Sequence, residues 1–453
     1  MVFSIIQKSQ LESAKRLDAE YYQPEYLEVE QKLKLINTNT IDEISESVEN
    51  FGAYSLCNYI QWRDSGVPYL NVQDIKDGYI DFTNTKFIDE KVNKILKKSQ
   101  VKEGQIIMTM AGTIGNVAVA HNIPKLVNSN QATAKITLKE NFSPYFISIF
   151  FNSYYGRNQI IREIVSSVQP NIFLFQIKNF KVPVVSPAKQ KEVEKIYKKG
   201  LNELKNYRSF YSQSESLFLK ELNLNNFQQD EFLSSVVNLK AVQEVERFDA
   251  EYFNSPCNKM LAIINKGKTA ELEDLAEMTK GVEPGAEAYQ DDGKLFIRVS
   301  SISKDGIIDK DQKYISDDLY NEYKKDYQPQ VEEILLTKDA SPGVTCLVRE
   351  PIEGVVSSGV MRLKLKEKIN PEYLTLVLNS IVGRLQAERD AGGSIIAHWK
   401  PEQIKNLVVP ILPASTQNKI GDLLLQSYQA RKKAKELLEE AKRKVEEMIE
   451  SKN

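Results

Sequence analysis

The sequence predicts an α+β protein written twice on one plan, each copy a mixed α/β domain followed by a long helix. Three observations carry this: the chain repeats itself end to end, each repeat closes on a long charged amphipathic segment, and no enzyme signature breaks the pattern.

The first long segment is SPAKQKEVEKIYKKGLNELKNYRSFYSQSESLFLKELNL, from Ser186. Ser186 can cap a helix with its hydroxyl, and Pro187 suits the first helical position, where a missing N–H costs nothing. Val193, Tyr197, Leu201, Leu204, Tyr207, Tyr211, Phe218 and Leu222 fall on one stripe with no proline among them. At 1.5 Å per residue such a helix is on the order of 50 Å long, well beyond an average globular helix. In the C-terminal segment, Ile420, Leu424, Ser427, Arg431, Ala434, Leu438, Ala441, Val445 and Met448 alternate four and three apart, a heptad seam. Ser427 and Arg431 are weak seam residues, which places the tightest packing in the second half. The two seams can bury on each other, or each helix can lie on its own domain; periodicity leaves both open.

A length of 453 residues suggests roughly three domains, and 42% apolar residues suffices for real cores. No apolar run approaches the roughly 20 residues of a membrane span, and MVFSIIQKSQLES has no signal-peptide core, so the expected location is the cytoplasm with no membrane contact. Cys57, Cys257 and Cys346 are odd in number and far apart, which argues for reduced structural thiols over a disulfide framework or zinc site. With His121 and His398 the only histidines, histidine-rich metal chemistry is excluded and no metal site is expected. A net charge of −2 means that any nucleic-acid surface must be local.

The repeat is read from landmarks in order. The stretch from Ile5 matches that from Val236, with Arg16, Asp18, Ala19, Glu20 and Tyr21 recurring as Arg247, Asp249, Ala250, Glu251 and Tyr252. VPYLNVQDIKDGYID from Val67 answers LFIRVSSISKDGIID from Leu295, a short apolar strand and then Asp-Gly turn chemistry. SPYFISIFFNSYYGR from Ser143 answers NPEYLTLVLNSIVGR from Asn370, each a polar cap followed by proline at the first helical position. QIKNFKVPVVSPAKQ from Gln176 answers QIKNLVVPILPASTQ from Gln403 at the same offset, and a long helix follows each time. The expected divisions are an arm (1–26), a domain (27–186), a long helix (187–225), a repeated arm (232–257), a second domain (258–413) and a second long helix (414–451). Between landmarks the halves differ sharply. Two related modules that recognise different things would look this way, and so would drift of surface loops.

Catalytic signatures are missing. There is no P-loop, no glycine-rich dinucleotide fingerprint after a strand, no HExxH and no Asn/Asp-Pro-Pro-aromatic tetrapeptide. GTIGNVAVA, Gly112 to Ala120, lacks the third glycine and the helix register that phosphate binding needs.

The arm RLDAEYYQPEY, the strand with its DGxID turn, the QIKNxxVPxxxPxxxQ close and the long helix, all present twice, resemble the specificity (S) subunit of Type I restriction-modification enzymes. The resemblance spans the chain, although VPVVSPAKQ and VPILPASTQ lack the expected leucine-proline-proline before the helices. It implies two target recognition domains, each reading one half of a split site in double-stranded DNA, with the long helices pairing antiparallel as a coiled-coil spacer. It also implies a non-catalytic chain without cofactor of its own, docked by modification (methyltransferase) subunits and restriction (motor-nuclease) subunits. S-adenosylmethionine, ATP and Mg would belong to those partners.

Direct readout needs Arg, Lys, Asn or Gln on loops held by a rigid frame, and phosphate contacts need Lys or Arg nearby. The first-half candidates are Lys97, Lys98, Asn128, Asn130, Gln131 and the loop carrying Ser166, Ser167, Gln169 and Asn171. Those of the second half are Lys304, Lys338, Arg349 and the loop with Gly392, Gly393, Ser394, His398 and Lys400. Each lysine singly also fits plain solubility, Trp399 reads as core, and His398 can simply satisfy a backbone carbonyl. Asp18, Glu20, Tyr21 and Asp249, Glu251, Tyr252 repeat while the reading surfaces do not. Their shared role is packing on the helices, presentation to the modification subunit, or core packing of the tyrosines. Two other functions fit the same residues: the recognition part of a fused restriction-methylation enzyme, and a coiled-coil adaptor that binds no DNA.

Overall fold

The computed structural model describes residues 3–14, 16–51, 58–164, 170–228, 236–245, 247–253, 256–308, 311–366, 369–392 and 397–451. Two compact units form: residues 1–204 with 432–453, and residues 205–431. Each long helix therefore contributes one part to each unit.

In the first unit an antiparallel sheet runs in the order Ser45–Glu49, Thr133–Leu138, Ile106–Thr109, Val117–Val119. Strand alternation divides its side chains between two cores. Ile106, Met108, Val117 and Ile136 face Phe146, Phe150 and Ile160 of the helices Pro144–Asn152 and Tyr154–Glu163. Ile107 and Ala118 face Leu70, Ile75 and Val127. Leu70 belongs to a second small sheet, where Val67–Leu70 pairs antiparallel with Lys86–Ile88 and parallel with Asn128–Ser129, the strand that Val127 precedes. Buried on both faces, Ile106–Thr109 and Val117–Val119 read as the apolar runs IIMT and VAV.

The second unit repeats this ladder by ladder. Its large sheet runs Ala276–Lys280, Val360–Leu365, Ile334–Thr337, Thr345–Leu347. In its small sheet Lys294–Ile297 pairs antiparallel with Lys313–Ile315 and parallel with Gly354–Val356. Ser143 and Asn370 cap equivalent helices, accepting from Phe146 N at 3.4 Å and Tyr373 N at 3.0 Å, each with proline next. The strand register also corrects the sequence match. Tyr69 opposes Lys86 and Asn128, while Phe296 opposes Lys313 and Val355, so Arg298 is equivalent to Asn71 and not to Leu70.

The long helices span Pro187–Glu221 and Ala414–Glu450. The first stops short of residue 225 because Asn223 turns left-handed at φ 57°, letting Leu224 N–H donate back to Leu219 O at 2.8 Å. In the first unit the pair is antiparallel: Glu192 meets Lys444 at 2.5 Å and Glu203 meets Lys433 at 2.8 Å. Val193, Tyr197, Ala434, Leu438, Ala441 and Val445 join the core there. Gly200 permits the close approach, since an added Cβ would stand 3.3 Å from the Leu438 side chain. In the second unit the weak seam residues find polar partners. Ser427 Oγ donates to Tyr207 O at 2.9 Å, and Arg431 Nη1 donates to Asp305 O at 3.1 Å. The fold is thus the expected α+β duplication with two long antiparallel helices.

The Asp-Gly turns dock on these helices. In the first unit Tyr197 OH donates to Gly78 O and Lys442 Nζ pairs with Asp77 at 2.7 Å. In the second, Tyr207 OH donates to Asp305 Oδ1 at 2.6 Å.

One buried position separates the halves. Lys135 is 1% exposed, and among the described residues its ammonium has only the Ser129 hydroxyl, at 3.4 Å, as hydrogen-bond partner. Burial pulls its pKa down to about 8, against a small opposing pull from Glu49. The folded pKa lies below that of an unfolded lysine, so the penalty is complete below about pH 8 and fades as pH rises toward about 10.4. Lys135→Met should therefore stabilise the first unit by on the order of 3 kcal/mol at pH 7 and by little near pH 11. Thermal unfolding of the full chain across that range checks this; a pH-independent difference would contradict it.

Candidate nucleic-acid interface

Four segments converge at one end of the small and large sheets in each unit, pinned by equivalent main-chain bonds. In the first unit, Asn130 N donates to Leu70 O at 2.9 Å, Met110 N to Ala132 O at 2.7 Å and Ile172 N to Met110 O at 3.0 Å. In the second, Ser357 N donates to Ile297 O at 2.9 Å, Lys338 N to Gly359 O at 2.9 Å and Trp399 N to Lys338 O at 2.8 Å. The hairpin tips reverse through left-handed residues at matching places, Gly112 and Ala340 at φ 70° and 59°. Beside them, Asn171 bridges to Ala111 and His398 to Asp339.

In the second unit these segments enclose an open cleft of about 610 Å³ whose lining includes Glu283, Tyr289, Arg298, Asp339, Ser341 and Ser358. Asp339 is held by Lys338 Nζ at 2.6 Å and His398 Nδ1 at 2.8 Å. Burial works to raise its carboxyl, but the hydrogen bonds from Lys338 and His398 outweigh that and hold it below the usual range. Glu283 accepts from Ser358 Oγ at 3.1 Å and Tyr289 OH at 3.4 Å.

An aromatic wall that the sequence did not disclose recurs on the small sheet. Trp62 lies edge-on to Tyr69 at 5.4 Å, and Tyr289 lies against Phe296 at 5.3 Å. Lys86 Nζ stands 4.8 Å over the Trp62 ring, and Arg298 Cζ lies 5.9 Å from that of Tyr289. Trp62 is 47% exposed, so it presents a free aromatic surface beside a cation. The one visible sign was exposure-prone chemistry in QWR next to an apolar strand.

The structure brings some candidates together and disperses others. Asn130, Gln131 and Asn171 lie on the converging segments of the first unit, as do Lys338, His398 and Lys400 in the second. Lys400 and His398 are exposed, whereas Lys338 is buried and committed to Asp339. Ser166, Ser167, Gln169, Gly393 and Ser394 lie outside the described residues. Asn128 needs correction as a base reader: it is fully buried, its amide donating to Asn93 Oδ1 at 2.8 Å and Leu96 O at 3.1 Å. Arg349 also needs correction, because its guanidinium is bidentate on Glu372 and lies 4.2 Å from the Tyr428 ring of the second long helix. Lys304 sits on the docked turn with its ammonium 4.6 Å over Tyr211, away from the cleft. Lys97 and Lys98 are exposed on a short turn beyond the helix Glu90–Ile95, a turn whose Ser99 O accepts from Ser129 Oγ at 3.0 Å.

The arms serve their own units. Arg16 donates to Asp18 at 2.9 Å and to the carbonyls of Glu163 and Ile164, while Tyr21 lies between Arg16 and Arg162, 4.5 and 4.1 Å from its ring. Burial and Glu163 push the Tyr21 hydroxyl up to about 12. Arg247 likewise donates to Asp249 at 2.8 Å and to the carbonyls of Arg389 and Asp390, with Tyr252 between Arg247 and Arg389. Glu20 is exposed, and the Glu251 side chain lies outside what is described. Between these clamps Leu17 and Phe248 stand 86% and 85% exposed at equivalent positions.

Among the described residues, no group of three or more His, Cys, Asp or Glu is placed to hold a metal ion, and no helix is long and apolar enough to cross a membrane. Burial pushes the Cys257 and Cys346 thiols up to about 12; Cys57 lies outside the described residues.

The family model for the Type I restriction modification DNA specificity domain matches residues 36–209 and 265–443. The Type I restriction enzyme EcoBI specificity subunit of Escherichia coli is 24% identical over 131 residues, covering 28% of this chain and 27% of that protein. Among solved structures, the Type I restriction-modification S subunit from M. genitalium is similar with a TM-score of 0.44 at 13% identity, covering 91% of this chain and 94% of that one. The HsdS subunit from Thermoanaerobacter tengcongensis has a TM-score of 0.30 at 14% identity, covering 91% and 95%.

Proposed function

Since the chain belongs to the Type I restriction modification DNA specificity family, we propose that it reads a bipartite site in double-stranded DNA, one half-site per domain. It scaffolds modification and motor-nuclease subunits in the cytoplasm. The observation that carries this reading is a constant frame with changed side chains. The pinning bonds recur at Asn130 and Ser357 and at Ile172 and Trp399. The residues facing the converging segments differ: Asn71 against Arg298, Ala111 against Asp339, Asn171 against His398. Such loops on rigid strand ends suit base-edge readout. The chemistry belongs to the partners, which bring S-adenosylmethionine, ATP and Mg.

Selection of bound sequences from a random duplex pool, using the chain with its modification subunits, tests this. Two conserved blocks with an unread gap are expected; a single block or none would refute it. Lys400→Ala, which removes an exposed cation beside the cleft, should weaken binding evenly across sequences and lower the salt slope by about one unit. An unchanged slope would place the phosphate contacts elsewhere. The repeated exposed Leu17 and Phe248 suit docking of two copies of one partner. Leu17→Asp with Phe248→Asp should lose co-purification of the modification subunit while the chain stays folded.

A further inference from the structure

The geometry points to Arg298 as the residue that fixes a guanine in the second half-site, an inference that rests on the DNA-reading proposed above. Arg298 follows the strand Lys294–Ile297, its own N–H bonded to Ser301 Oγ at 3.3 Å and the strand end clamped by Ser357 N donating to Ile297 O. Its backbone is thus fixed from both sides. The guanidinium lines the cleft, held among the described residues by one donation, Nη2 to Asp311 O at 3.0 Å, and flanked by the Tyr289 ring.

What singles it out is unused capacity. Among the described residues, its Nε is buried without a hydrogen-bond partner. Glu283 and Asp339, the carboxylates of the same cleft, are engaged by Ser358 and Tyr289 and by Lys338 and His398. A guanidinium carries five donors in a planar fork, and leaving a buried donor unpaired costs about 1–3 kcal/mol. The ligand that completes it must bring paired acceptors on one edge, which guanine O6 and N7 supply in the major groove. A phosphate is the competing acceptor. It suits a long, exposed, mobile cation such as Lys400 better than a fork set at a strand end between an aromatic ring and a cleft wall. The equivalent position of the first unit holds Asn71, whose amide matches adenine N6 and N7, so the same place on the frame reads a different base.

The test uses the full chain with its modification subunits. Arg298→Ala should erase the preference for guanine at one position of one half-site and lower affinity for the intact site about 10- to 100-fold, with other positions unchanged. Arg298→Gln should move that preference toward adenine. Independently of any substitution, 7-deazaguanine at that position, which removes N7, should weaken wild-type binding about 10-fold and leave Arg298→Ala unaffected. Preferences unchanged by Arg298→Ala, or an even loss across sequences with a salt slope lower by about one, would overturn the assignment while leaving DNA reading intact. Absence of any sequence preference in the wild type would overturn the reading itself.

Discussion

Glu333→Ala is expected to destabilise the second unit by on the order of 3–5 kcal/mol, because it strands a buried guanidinium. Arg362 and Glu333 are 11% and 6% exposed and joined by two parallel bonds, Nε to Oε2 and Nη2 to Oε1, both 2.8 Å. The pair spans the strand Val360–Leu365 and the edge of Ile334–Thr337. Replacing both partners together, as Glu333→Leu with Arg362→Met, should cost far less than the single change. Urea unfolding of the full chain measures both; a single-substitution loss under about 1 kcal/mol would mean that water reaches the pair. The first unit supplies the comparison. At the places of Glu333 and Arg362 it has Gln105 and Lys135, with Gln105 Nε2 donating to Thr137 Oγ1 at 2.9 Å. Gln105→Glu offers Lys135 the carboxylate it lacks, so its pKa should climb from about 8 and the stability gain of Lys135→Met should shrink.

The helices and the duplication were legible because both are written locally. The seam from Ile420 to Met448 is fixed by spacing alone, and all its apolar members are buried. The repeat was legible because its landmarks carry turn and cap residues whose chemistry is positional. The reading surface was less so. Asn128 and Arg349 have the right chemical type for base contact, but their partners, Leu96 O and Glu372, come from distant sequence. A polar side chain does not declare whether its hydrogen bonds end inside or outside the fold. Arg298 escaped notice for a related reason. Aligning the two Asp-Gly turns places it opposite Leu70, and only the parallel strand pairing moves it opposite Asn71. Trp62 and Tyr289 were hidden likewise, since their equivalence rests on bridges from Arg63 to Phe87 and Gln290 to Tyr314.

Exchanging residues 258–413 for the equivalent domain of a relative should replace one half-site and leave the other unchanged. Affinity for the original site should fall by roughly 10³-fold or more, to the non-specific level. The seams of the second unit explain why such a graft can fold. On the arm side, Arg247 donates to the carbonyls of Arg389 and Asp390, so most of that contact is with main chain and tolerates a changed sequence. On the helix side, Phe218, Leu222, Ile420 and Leu424 pack with Tyr373, Leu374 and Val377 in one core. Phe218 meets Tyr373 ring to ring at 5.9 Å, and the Tyr373 hydroxyl donates to Pro410 O at 2.7 Å. Three side chains of the graft must therefore be kept: Asp305 for Tyr207 and Arg431, Tyr373 for Phe218, and Arg389 for Tyr252. A graft lacking Asp305 leaves the Tyr207 hydroxyl without its acceptor and takes away the carboxylate 3.7 Å from Arg431, which keeps only the main-chain carbonyl at 305, a fault of stability that restoring Asp305 should repair. With the three retained, selection from a random duplex pool by the chimera and its modification subunits should return the donor's half-site joined to the recipient's. Alteration of both half-sites in a folded chimera would sink the one-domain, one-half-site reading.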